Sequence, residues 1–212
     1  MRFLKNKQII FSIFFITVGI ATQLIAYAVA NDGWLSLISG ITGILAVVLC
    51  AERKLSFYVF AWIQLITYVI LAYEQRLYAE LASNAFYAIT MIFGMFIWFK
   101  NAGKNKSEVT ARHLSKRASM LINGANLAFI VLTWLYLKNY TDDTQPFIDS
   151  LTTIPAIIAQ ILMILCYREQ WWYWLIIDIA SIYMWYVADN WCMVMQYIFW
   201  SANCIYGTIK WK

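Results

Sequence analysis

The chain has 212 residues, of which 63% are hydrophobic and 13% charged, with a mean hydropathy of +0.64. That balance excludes an ordinary soluble domain and leaves no length for one beside the apolar sequence. The net charge of +5 is scattered between apolar runs rather than gathered on one face, which argues against a nucleic-acid partner.

The chain opens with Arg2, Lys5 and Lys7, then an apolar run to Ala30. Ala28-Val29-Ala30 has the small-x-small form of a cleavage site, but the run is too long for a signal-peptide core. It reads as a retained helix. Backbone groups must pair within a bilayer, so each long charge-poor run is expected to be a spanning helix of roughly 17–25 residues. Eight runs qualify, at 8–30, 35–51, 55–73, 77–99, 118–137, 147–167, 171–187 and 191–209. The expected fold is therefore all-α integral membrane, with eight transmembrane helices. Most turns are short and force antiparallel neighbours. The longer stretch from Lys100 to Arg117 is polar and basic, and separates two halves.

With the N-terminus inside, 14 of the 16 Lys and Arg fall on the inner side, leaving only Arg76 and Lys138 outside. The positive-inside rule then places both termini in the cytoplasm. Trp34, Trp98, Trp171, Trp191 and Trp211 stand at span ends, where an aromatic belt is expected. Trp172 is read in the same way. The four cysteines (Cys50, Cys166, Cys192 and Cys204) lack paired spacing and read as small core residues, neither disulfides nor metal ligands.

The halves repeat. Phe93-Gly94-x3-Trp98 and Tyr206-Gly207-x3-Trp211 are offset by 113 residues (207 − 94 and 211 − 98). The pattern is an extra helix (8–30), a three-helix bundle (35–99), a linker helix (118–137) and a second bundle (147–209), all in one transmembrane domain. A single linker helix restores the orientation of the second bundle, so this 3+1+3 arrangement gives parallel repeats with a site expected between them near mid-membrane.

Polar groups in hydrocarbon are costly and mark candidate sites. Trp171, Trp174, Asp178, Ser181 and Trp185 form one stripe of the seventh span, and Gln196, Trp200, Asn203 and Gly207 one of the eighth. Glu80, Asn84, Tyr87 and Gly94 are the counterpart in the fourth. Gln64 marks the third, and Asp149, Thr153 and Gln160 the sixth. At 1.5 Å per residue, Asp178 and Asn84 lie about 10 Å from their inner and outer ends, with Gln64 and Trp200 near mid-span. The candidate substrate-binding set is Gln64, Asn84, Tyr87, Gln160, Trp174, Asp178, Gln196, Tyr197, Trp200 and Asn203. Asn123 and Asn126 of the linker helix read as helix-packing residues instead. His113 reads as a solvated loop residue, and the basic loop meets anionic lipid headgroups. No hydrolase or metal motif occurs, so no catalytic residue, metal or cofactor is expected, and the chain is not read as an enzyme. A channel lacks its ring-forming motif.

Three places carry a family resemblance: Leu77-Tyr78-Ala79-Glu80 with Asn84 and Gly94-x3-Trp98; Trp171-Trp172-Tyr173-Trp174 with Asp178; and Asp149-x3-Thr153-x6-Gln160 with Tyr206-Gly207-x3-Trp211. Together they resemble the PnuC family of vitamin transporters, of the nicotinamide riboside type, from about Trp34 to the C-terminus. The resemblance implies a fold related to SWEET sugar carriers, a cell inner membrane location, facilitated diffusion of nicotinamide riboside and trapping by cytoplasmic phosphorylation. Asn84 stands where that family usually has Gln, and Met95-Phe96 follow Gly94 where it has Trp-Tyr. Independently, a flat cationic ring suits aromatic faces such as Trp174, Tyr197 and Trp200, and a carboxamide with hydroxyls suits Asn and Gln. Thiamine shares the flat cation, and a sugar carrier would need the amides with fewer aromatics. The expected partners are the small-molecule substrate and the lipid bilayer. Oligomeric state is open, a homo-oligomer included.

Overall fold

The computed structural model describes residues 2–30, 33–74, 78–102, 108–142, 145–187 and 191–212. Side chains of 2–11, 26, 30, 72, 78–80, 82, 185 and 191–193 lie outside that description, among them Glu80, Trp185, Trp191 and Cys192. So do Arg76, Lys104 and Lys106. The described residues form eight helices: α1 (Arg2–Ala30), α2 (Trp34–Ala51), α3 (Phe57–Glu74), α4 (Tyr78–Asn101), α5 (Lys116–Tyr140), α6 (Pro146–Ile164), α7 (Gln170–Val187) and α8 (Trp191–Lys210). Each stands on one of the eight apolar runs. Four of them, α1 (over Ser12–Val29), α2, α5 and α6, are long and apolar enough to cross a membrane by length and composition alone. Helices α4, α7 and α8 carry the Asn, Gln, Asp and Trp positions of the candidate site, which lower their apolarity.

The surface is inverted relative to a soluble protein. On α5, Leu121 is 74% and Leu127 65% exposed, while Ser39, Thr42, Thr67, Ser150, Gln170 and Ser181 are buried. Apolar surface this extensive is stable only against lipid or another protein. Thr42, Thr67, Thr90 and Thr152 each turn the hydroxyl back onto a carbonyl of their own helix, leaving no donor bare in an apolar setting.

The chain divides into two compact units, 1–109 and 110–212. In the first, α1 packs on α2, α2 on α3 and α3 on α4; in the second, α5 packs on α6, α6 on α7 and α7 on α8. In the first unit α1 reaches α2 closely, with the Gln23 side chain lying directly over Gly40 and Ser12 Oγ donating to Glu52. In the second, Ser115 caps α5 by accepting from the Ala118 N–H at 3.2 Å. Pro146 opens α6, and Pro155 sits buried inside it.

The 113-residue repeat holds at the C-caps of α2 and α6. Helix α2 ends with Arg53 at φ 60° and α6 with Cys166 at φ 61°, and 166 − 53 is again 113. Around the first, Lys54 N–H donates to the Leu49 carbonyl (3.0 Å) and Arg53 N–H to Cys50 (2.9 Å). Around the second, Tyr167 N–H donates to Leu162 (2.8 Å) and Cys166 N–H to Met163 (3.0 Å). This crossed pair is the Schellman C-cap, which normally uses glycine. The apolar run ended at Tyr167, but this cap stops α6 at Ile164. In each unit the carbonyl of that left-handed residue accepts from an extended segment: from Val109 N–H to Arg53 (2.9 Å) in the first, from Arg112 N–H to Cys166 (2.8 Å) in the second.

Candidate functional site

The Gly-x3-Trp motif is structural. Trp98 is fully buried against Phe57 (4.7 Å between centroids) and edge-on to Tyr58 (5.5 Å). Its repeat partner Trp211, equally buried, meets Trp171 edge-on at 5.9 Å, and 171 − 58 is the same offset. The Trp171 indole lies so close over Gly207 that a Cβ there would overlap it. Trp98, Trp171 and Trp211 therefore pack inside their own units and form no aromatic belt, contrary to the expectation from their place at span ends. Position along a helix does not reveal which face a ring occupies. Trp34 and Trp172, at 68% and 54% exposed, do face outward as a belt requires.

Of the ten candidate binding residues, Gln64, Asn84 and Tyr87 belong to the first unit and the other seven to the second. Asn84, Gln160, Asp178 and Asn203 are buried, at 8%, 3%, 4% and 2% exposed. Gln64, Tyr87, Trp174, Gln196, Tyr197 and Trp200 are half-buried. Within the second unit, Cys204 Sγ donates to Asp178 Oδ2 at 3.2 Å, tying α8 to α7. Cys204, read from sequence as a plain core residue, is thus the acid's partner. Tyr197 and Trp200 meet edge-on at 5.1 Å on α8, and the Trp200 indole N–H is buried with no acceptor among the described residues. An unsatisfied buried donor of this kind is a place for a ligand acceptor or a water. Trp174 packs against the α6–α7 cluster of Ala159, Leu162, Tyr173 and Ile177, which fixes its ring. The Gln64 stem leans on Gly43 of α2.

The packing role expected of Asn123 is realised: its Oδ1 accepts from the Tyr173 hydroxyl at 2.7 Å, joining α5 to α7. Asn126 keeps a buried carbonyl oxygen without a donor among the described residues. One residue escaped the sequence reading. Gln170 is fully buried, and neither its amide oxygen nor its nitrogen has a partner among the described residues. In sequence it follows the charged pair Arg168-Glu169 between two apolar runs, whereas the repeat offset sets it opposite buried Phe57. Two surface cavities of the second unit, of about 390 Å³ around Trp134, Gln145 and Tyr183 and about 160 Å³ around Glu169 and Tyr173, are lined by none of the ten candidates.

An exposed apolar exterior, buried amides and acid, and helix caps repeated at the 113-residue offset are those of a multi-pass membrane protein of the transporter class. The chain belongs to the nicotinamide mononucleotide transporter family, which matches residues 33–212. A nicotinamide riboside transporter PnuC of Haemophilus influenzae is 32% identical, over 95% of this chain and 89% of its own length. That of Neisseria mucosa is 30% identical, over 89% and 76%. The crystal structure of the vitamin B3 transporter PnuC superposes with a TM-score of 0.78 at 29% identity, covering 95% of this chain and 90% of that one. These relatives are transporters, not enzymes.

Proposed function

We propose that this protein carries nicotinamide riboside across the cell inner membrane by facilitated diffusion. All eight helices cross the bilayer, with both termini cytoplasmic, as one transmembrane domain of 3+1+3 design preceded by α1. Substrate sits at mid-membrane, its flat cationic ring on Trp174 or Trp200 and its carboxamide and hydroxyls on Asn84, Gln196 and Asn203. Gln64, Tyr87, Gln160, Asp178 and Tyr197 complete the surround.

One observation carries the reading. The Trp200 indole N–H is buried without an acceptor among the described residues, one helical turn from the buried Asn203 on α8. A buried donor left without an acceptor is costly, and a polar, aromatic-faced ligand supplies that acceptor to the Trp200 indole N–H. The family supplies the substrate class.

The test is thermal stabilisation of the purified protein by nicotinamide riboside, nicotinamide, thiamine and riboflavin, since a ligand bound to the folded state raises apparent stability. A dose-dependent rise with nicotinamide riboside alone is expected. A larger rise with thiamine would transfer the site to another vitamin, and no rise with any of the four would remove it.

A further inference from the structure

The cavity of about 160 Å³ in the second unit opens where the first turns of α5 and α7 meet. Glu169 lines it. One carboxylate oxygen accepts from the Leu114 N–H at 3.1 Å. The other is buried and has no hydrogen-bond partner, and no Lys or Arg pairs with it, among the described residues. Part of the polar wall is already committed: Asn123 Oδ1 accepts from the Tyr173 hydroxyl, and one Asn123 Nδ2 hydrogen goes to Ser119 Oγ at 3.3 Å. Besides the second Asn123 amide hydrogen and the Ser119 hydroxyl, the wall offers the negative charge of Glu169, flanked by the Trp172 and Tyr173 rings. Such a site selects a compact cation able to donate hydrogen bonds.

Size and setting narrow the ligand further. The volume lies below the usual range of roughly 300–1,000 Å³ for sites that enclose a drug-sized molecule, so the transported vitamin is not the occupant. It suits an ammonium on a short stem. Trp172 and Ile176 line the cavity and, with Ile179 and Tyr183, continue as an exposed apolar stripe along α7. Ser119 and Asn123 lie about 5–10 Å from the start of α5 at the α-helical rise, the depth of a headgroup boundary. Lys116 and Arg117 are exposed in the first turn of α5, the turn that carries the lining residue Ser119, and add positive charge suited to a phosphate.

We propose that this cavity binds the primary ammonium of an aminophospholipid headgroup, with Glu169 as its counter-ion and Trp172 and Tyr173 as its aromatic walls. The proposal rests on the membrane setting and not on the identity of the transported substrate.

Purified protein is equilibrated with mixed micelles containing phosphatidylethanolamine, phosphatidylcholine or phosphatidylglycerol of identical acyl chains, and bound lipid is counted by native mass spectrometry. Wild type is expected to retain phosphatidylethanolamine several-fold over the other two. Glu169→Gln keeps an acceptor for Leu114 N–H but loses the charge, and is expected to bring that preference down to near equal retention of the three lipids. Trp172→Ala, at an exposed position that does not threaten the fold, is expected to weaken it as well. Equal retention of the three lipids by wild type overturns the assignment, as does an undiminished preference in either variant.

Discussion

Gly207 has no room for a methyl group, because the Trp171 indole occupies the space where a Cβ would stand. Gly207→Ala is therefore expected to cost about 1–3 kcal/mol, the usual penalty for overpacking, read as a lower melting temperature in detergent. Trp171→Leu in the same chain should recover part of that loss, whereas independent sites would add. The sequence carried this motif but not its purpose. Hydropathy ranks a tryptophan by its chemistry, and a ring at a span end is equally suited to headgroups and to a neighbouring helix. Only the shared 113-residue spacing of Tyr58 to Trp171 and Trp98 to Trp211 points to packing. The candidate binding residues divide by experiment along the same line. Trp200→Ala should lose an aromatic contact of about 0.5–2 kcal/mol or more when desolvated, roughly a twofold to thirtyfold rise in Kd for nicotinamide riboside. Tyr173→Phe removes the bond to Asn123, and should cost stability of about 0.5–1.5 kcal/mol while leaving Kd unchanged. The reverse pattern, with Trp200→Ala binding normally and Tyr173→Phe binding poorly, would move the site away from α8.

Helices were the most legible level, because a bilayer permits an apolar run few other backbones. Their ends were less so, and α6 shows why. Its apolar sequence continues to Tyr167, yet the helix closes at Ile164 in a Schellman cap whose left-handed residue is Cys166. The sequence signal for that cap is a glycine, and here neither repeat has one. Arg53 and Cys166 each hold a conformation that costs an L-residue roughly 1–2 kcal/mol, and the crossed hydrogen bonds at both turns hold them there. Arg53→Gly is expected to relieve this and stabilise the protein by about 0.5–1 kcal/mol, net of the extra freedom glycine gains when unfolded. Arg53→Val, β-branched at positive φ, should destabilise it by more than that. Thermal unfolding of the two variants side by side settles the sign; a loss of stability in both would place the value of Arg53 in its side chain and not in its backbone.

At the scale of the molecule the repeats agree in backbone and differ in polarity. The offset sets Asp178 against Leu65, Gln160 against Val47, Gln170 against Phe57 and Asn203 against Thr90, while Asn84 and Gln64 face Tyr197 and Ile177. Among the described residues the second unit thus holds most of the buried polar groups, and charge counting alone could not show this because loops set orientation, not interiors. Orientation has its own check: a cysteine placed at Lys104 should react with a reagent confined to the cytoplasmic side and one at Thr141 with an external reagent, and labelling of both from one side would break the eight-span topology. The same interior bears on energetics. Driving a solute uphill with protons requires acids that load and release along a path, usually more than one within the spans. Among the described residues Asp178 is the one buried acid, and it is tied to Cys204 within its own unit. Held this way, Asp178 is suited to fixing α7 against α8 or balancing a cationic ring. Uptake of nicotinamide riboside into proteoliposomes is therefore expected to stop when inside and outside concentrations are equal, with or without an imposed proton or sodium gradient. Asp178→Asn should change the rate or the affinity but not that end point. Accumulation above the external concentration, dependent on either gradient and abolished in Asp178→Asn, would instead make Asp178 a coupling site and overturn the facilitated-diffusion mechanism.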